Sequence, residues 1–162
     1  MSNKPERRKL VFQDLSDITR EARMLLAKGY TSAGKWNLAQ TCNHINEWVR
    51  FPVDGYPRVP VYCAPIFWAL RSSIMPGKLK QYLADKSFPA GKPTMAQTVF
   101  AANFSSDEEA VRKLGATIER VGSFRGPLHP SPLFGKMDHE THHSLQFVHA
   151  AHHLGFLVPK SS

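Results

Sequence analysis

Gln146-Phe147-Val148-His149-Ala150-Ala151-His152-His153-Leu154-Gly155 is the stretch whose reading decides the fold. Three of the chain's 8 histidines lie within five residues here. Read as helix, the stretch puts His149 and His153 one turn apart on the same face. Their imidazoles then converge on one point, as a pair of metal ligands must. His152 sits about 60° round from His149 on a 3.6-residue helix and falls outside that pair. The plain alternative is three histidines with no common task, because a bare HxxxH spacing also arises by chance.

A third histidine upstream changes the weighting. Residues 36–51 read as a helix that opens on a capping box, with Asn37 as N-cap and Gln40 at N3. His44 shares one face with Gln40, Thr41, Glu47, Trp48 and Phe51. Leu38, Cys42, Ile45 and Val49 occupy the opposite side, so this helix is apolar on both flanks and buried. A lone histidine on such a face is more often a satisfied core residue than a ligand. With His149 and His153 in the same chain, His44 becomes a candidate third ligand. Gln40 can cap the helix or support the site. Glu47 is a candidate general base or hydrogen-bond partner to a ligand, with a surface glutamate as the alternative.

The remaining segments give the architecture. Residues 11–28 carry Phe12, Leu15, Ile18, Ala22, Leu25 and Leu26 at helical spacing, and Gly29 stops them. Residues 30–35 read as a polar turn, and residues 52–60 as a proline-rich loop. Residues 61–75 read as a third helix ended by Pro76-Gly77. Residues 78–104 show weak periodicity and are too long for a simple connection, which suits short helical turns or a cover over a cleft. Ser106 to Glu109 is a second capping box, opening a helix with Val111, Leu114, Ile118 and Val121. The loop from His129 to Gly135 is stiffened by Pro130 and Pro132, and serves either as a wall of the site or as a packing bridge. Asp138 caps a last helix that runs to about residue 157. On it His142 shares the inner face with Leu145, His149 and His153, while Phe147 and Leu154 point nearly the other way. Strand patterning is poor. The reading is an all-α fold, a bundle of four main helices with an elaborated loop segment in the middle.

Composition narrows the class. The chain has 162 residues, 42% of them hydrophobic, enough for one domain with one core. Residues 1–9 form a basic arm expected to be disordered, and residues 10–160 a single helical domain. No apolar run approaches the ~18–20 residues of a membrane span, and no apolar segment of a secretory signal follows the arm. The 2 cysteines, Cys42 and Cys63, make no disulfide framework and read as reduced, mostly buried residues in a cytoplasmic protein. Were Cys42 on the same helix as His44, it would point about 160° away from it. The formal net charge is +8, but outside the arm the basic residues are scattered. They read as a solvated surface, and nucleic acid is not favoured as a partner.

Taken together, these residues resemble the DinB/YfiT-like superfamily of metal-binding four-helix bundles. Gly34-Lys35-Trp36-Asn37-Leu38-Ala39-Gln40-Thr41-Cys42-Asn43-His44 is similar to its tryptophan-led helix with one histidine. His149-Ala150-Ala151-His152-His153-Leu154-Gly155 is similar to its late HxxxH helix. The His129 to Gly135 loop and the closing Leu157-Val158-Pro159 look like one branch of it, of unknown function. The resemblance implies His44, His149 and His153 as ligands of a divalent transition metal, zinc, nickel or iron. Better-studied members commonly carry Arg-Gly-Gln after the last histidine, where this chain has Leu154-Gly155-Phe156. Three protein ligands leave a coordination position open. That implies a metal-dependent enzyme of hydrolase or thiol S-transferase type acting on a small molecule, with a low-molecular-weight thiol as candidate cosubstrate. Glu47 or His142 would serve as base or as support to a ligand. The alternative is a non-catalytic metal-binding or stress-related protein. Superfamily likeness, with Phe147 and Leu154 on the outer side of the last helix, implies a homodimer, the alternative being that residues 76–104 fold over them within one chain. The basic chain implies an anionic or thiol-bearing ligand.

Overall fold

The computed structural model describes residues 5–91 and 94–160. Helix α1 (Leu15–Lys28) starts four residues later than its apolar spacing predicts. The start is set by Asp14, whose carboxylate accepts the Ser16 amide at 2.6 Å, while Asp17 accepts the Gln13 and Asp14 amides. Such reciprocal caps satisfy amides that the first turn leaves without partners. Helix α2 (Leu38–Asp54) carries the expected box, with Gln40 N donating to Asn37 Oδ1 at 2.8 Å and Asn37 N donating to Gln40 Oε1 at 3.0 Å. It runs through Pro52, which the proline-rich pattern assigns to a loop, and stops at Gly55, whose φ of +102° suits glycine. The carbonyl of Pro52 accepts the His129 amide at 2.7 Å, which ties the later loop to the end of α2.

The middle segment departs furthest from its pattern. A 3-10 turn at Val61–Cys63 leads into α3 (Ala64–Ser73), and α4 (Met75–Asp85) follows at once. Pro76 was expected to end a helix, but it stands in the first turn of α4, where a missing N–H costs nothing. No residue of α3 or α4 is buried, and Cys63 is only half-buried. A second 3-10 turn, Ala96–Thr98, precedes α5 (Asp107–Ser123), capped by Ser106. Helix α6 (His139–Leu154) is capped by Asp138, which accepts the Thr141 amide at 2.7 Å.

Helices α1, α2, α5 and α6 pack round one core, giving the expected all-α bundle, and α4 lies against α6. Ile18, Leu25, Leu38, Ile45 and Leu114 are fully enclosed in that core. Each such aliphatic side chain contributes roughly 1.5–3 kcal/mol through burial. Leu154 is fully buried, and Phe147 is partly buried against the core of the same chain. Among the described residues no helix is long and apolar enough to cross a membrane.

Residues 30–35 are not simply a turn: β1 (Tyr30–Ser32) pairs antiparallel with β2 (Leu157–Pro159), so α6 stops short of residue 157. Three-residue strands are too short for alternation to mark them. In the basic arm residues 1–4 lie outside the described residues, while Arg8 is docked. Its amide donates to Gly155 O at 2.8 Å, and its guanidinium donates to Leu157 O at 2.8 Å and pairs with Glu21. Gly155 makes this docking possible, because a Cβ there would stand 2.6 Å from Arg8 O and 2.9 Å from Ala151 O. Gly155→Ala should therefore cost about 1–3 kcal/mol in urea denaturation. Gly77→Ala, where a Cβ meets nothing within 4 Å, should leave stability equal or slightly raised. Equal midpoints for the two variants would contradict the docking.

Candidate metal centre

His44 comes from the middle of α2, and His149 and His153 from the last turns of α6. Each offers one ring nitrogen, and the three nitrogens lie within 4.8 Å of one another. His44 is 1% exposed, while His149 and His153 keep partial exposure. The Nε2 atoms of His44 and His149 are 3.1 Å apart. Two nitrogens bound to one tetrahedral ion at about 2.0–2.1 Å stand about 3.3 Å apart, so this pair is already close to ligand spacing. Among the described residues no cysteine, aspartate, glutamate or further histidine joins the three.

The tautomer of His44 is set by its surroundings. Its Nδ1 lies 2.9 Å from the carbonyl oxygen of Thr98. A carbonyl only accepts, so Nδ1 carries the proton and Nε2 presents a lone pair toward His149. Such a partner behind a metal-binding imidazole fixes the ring and raises its basicity as a ligand. The carbonyl arrives from the weakly patterned middle segment, and three amides of α2 hold that segment along the helix. Asn37 Nδ2 donates to Ala102 O at 3.0 Å, Gln40 Nε2 to Phe100 O at 2.8 Å and Asn43 Nδ2 to Ser105 Oγ at 2.8 Å. Gln40 thus both caps the helix and supports the site. Trp36 stacks on His153 with ring centres 5.4 Å apart, and Trp48 meets His149 edge-on at 5.6 Å.

Burial keeps these imidazoles neutral. Desolvation, only partly opposed by the Thr98 carbonyl, brings His44 down to about 4. Desolvation and then the neighbouring His44 bring His153 to about 2, and desolvation with the other histidines holds His149 well below its ordinary value. Neutral imidazole is the form that binds metal, so the donor set fits a borderline divalent ion.

His152 stands apart, as its helical phase predicts. Its Nδ1 lies 3.0 Å from the Arg7 guanidinium and 3.1 Å from the Phe88 carbonyl. With a proton that nitrogen serves the carbonyl, and without one the guanidinium. Glu47 faces Arg50 on its own helix, accepting from Nε at 3.1 Å and from the terminal nitrogen at 2.6 Å. Its charge raises the His44 pKa slightly, yet it does not join the histidine cluster. His142 is fully buried and accepts from Gln146 Nε2 at 3.3 Å. The His129 to Gly135 loop does form a wall, contributing Ser131, Leu133 and Phe134 to a cavity that His149 and His153 also line. The sequence carries no signal for the Thr98 carbonyl, because a backbone acceptor can come from any residue type. Gln146 had one, its spacing of four residues after His142 and three before His149.

The profile of a family described as "Protein of unknown function (DUF1569)" matches residues 4–160. The chain belongs to DUF1569. No curated protein and no solved structure matches it. In this DUF1569 chain the motif residues of both histidine helices fall inside the matched span.

The buried His142 makes stability depend on pH. Burial, reinforced by His143 and His139, lowers it from 6.5 to about 4. The unfolded chain therefore takes the proton first, and stability falls as pH drops from the unfolded value toward the folded one. In metal-free protein, urea denaturation should show this loss between about pH 6.5 and 4. His142→Gln should make the slope shallower by up to one proton, about 1.4 kcal/mol per pH unit. Parallel slopes would mean that His142 is not buried neutral.

Proposed function

We propose that this DUF1569 protein is a metal-dependent enzyme of the DinB/YfiT-like four-helix type. His44, His149 and His153 hold a divalent zinc, nickel or iron ion, and the reaction on a small molecule is hydrolysis or thiol transfer. The observation that carries the reading is the convergence of three neutral imidazole nitrogens within 4.8 Å beside a cavity. Bound there, the ion supplies Lewis-acid activation. The chain's own residues do the rest. Thr98 O orients His44, and the two tryptophans hold the rings of His149 and His153. Glu47 is a base only when released from Arg50, and His142 acts through Gln146 rather than on a reacting atom. Both cysteines are free, which accords with a reducing, cytoplasmic setting.

The competing reading is a non-catalytic metal-binding or stress-related protein, which calls for a closed shell. Structural zinc normally takes four protein ligands. Three ligands from two helices support the open site instead.

Elemental analysis of protein purified without a histidine tag tests the ligand set. Wild type should hold about one metal ion per chain. His44→Ala, His149→Ala and His153→Ala should each lose it, whereas His152→Ala should keep most of it. Retention by His149→Ala together with loss by His152→Ala would overturn the assignment. Titrating cobalt-substituted protein with azide or a thiol then separates the readings. A changed visible spectrum is expected, and an unchanged one at saturation would leave only the closed, non-catalytic site.

A further inference from the structure

The cavity beside the three histidines has a volume of about 230 Å³. Its walls come from α2, α4 with the residues after it, the His129 to Gly135 loop, and α6. Trp48, Tyr82, Phe88 and Phe134 give it aromatic faces, and Met75 and Met137 fill between them. Aromatic walls suit a flat apolar body, and methionine adapts to its outline. No Lys, Arg, Asp or Glu stands among the described residues that line it, although the whole chain carries a net charge of +8. Among the described residues the basic surface does not extend to this wall. An ionised ligand would lose its hydration there and meet no opposite charge among the described lining side chains.

The polar groups of the wall are mostly engaged. Ser131 Oγ accepts the amides of Leu133 and Phe134, each at 3.2 Å. Thr94 and Thr98 share a hydroxyl contact of 3.4 Å. Three atoms of the described lining residues are not: Trp48 Nε1, His149 Nδ1 and Gln146 Oε1 are buried without a hydrogen-bond partner. Of these Gln146 Oε1 can only accept; Gln146 is 3% exposed and lines the cavity one turn before His149. The other end of the amide is committed, since Nε2 donates to the enclosed His142. The amide is thus turned so that its acceptor is left over. A buried acceptor without a partner is costly, and a ligand that brings a donor to it removes that cost.

We propose that this cavity takes an uncharged, ring-bearing small molecule, oriented by one O–H or N–H donor that Gln146 Oε1 accepts. This ligand class differs from the anionic or thiol-bearing one expected from the basic composition. It rests on the reading of the three histidines as the reactive centre only for which end of the ligand faces them. Gln146 determines specificity, and His142 is a positioning residue that acts through it.

Three matched probes test the proposal by titration calorimetry on metal-free protein: 2-naphthol, 2-methoxynaphthalene and 2-naphthoate. The naphthol should bind about 5-fold more tightly than the methyl ether, the worth of one modest hydrogen bond. It should bind at least about 10-fold more tightly than the naphthoate, whose charge the wall does not match. Gln146→Met should erase the preference for naphthol over ether while leaving the ether's affinity within about 2-fold. Gln146→Glu keeps an acceptor and should keep the preference, and it stands in if the methionine variant fails to fold. Naphthoate binding as tightly as naphthol would overturn the proposal. So would a naphthol preference that survives Gln146→Met, its loss in Gln146→Glu, or no binding of any probe at millimolar concentration. Metal content measured on the same wild-type protein keeps the two readings apart. Probe preferences without metal binding would sink the metalloenzyme reading alone, and metal binding without the preferences would sink this inference alone.

Discussion

The contact between His44 Nδ1 and the Thr98 carbonyl, 2.9 Å long, is the constraint on which the rest of the site depends. It satisfies an imidazole that is 1% exposed and would otherwise bury an unpaired N–H. It also directs the lone pair of Nε2 toward α6. The same contact fixes the 3-10 turn at Ala96–Thr98 against α2, and the side-chain amides of Asn37, Gln40 and Asn43 extend that attachment on to Ser105. A segment with little core of its own thereby becomes part of the centre's surroundings.

The face of α6 that turns toward α2 and the cavity is a polar stripe inside an apolar bundle. His142, Gln146, His149 and His153 follow one another at four, three and four residues, the spacing that keeps side chains on one side of a helix. The stripe changes character along its length. At its start His142 and Gln146 bond to each other, and at its end His149 and His153 meet His44. One helix face therefore carries both the groups that could hold an ion and the amide that borders the cavity.

Charge is separated from this interior. The ion pairs lie outside the histidine cluster, Arg50 with Glu47 on α2, Arg8 with Glu21 near the chain ends, and Arg120 with Asp54 between α5 and α2. Within the cluster burial outweighs every other influence on the imidazoles, and it lowers all three. The burial that lowers them leaves all three in the neutral form that binds metal.

The sequence by itself determined the elements whose causes are local. Helical periodicity and caps at Asn37, Ser106 and Asp138 marked three of the four bundle helices, and the i, i+4 spacing of His149 and His153, with His152 off the face, followed from 3.6 residues per turn. Its errors lay where a local pattern was read without its neighbours. Pro76 begins a helix instead of ending one, and Pro52 continues α2 instead of opening a loop. Only the tertiary structure decided what depends on distant segments meeting. The pairing of residues 30–32 with 157–159, the docking of Arg8 on Gly155, the carbonyl behind His44 and the aromatic cavity all join stretches far apart in the chain. Backbone acceptors carry no residue signature, and a cavity is a property of surfaces brought together, so neither is written in any one stretch of sequence.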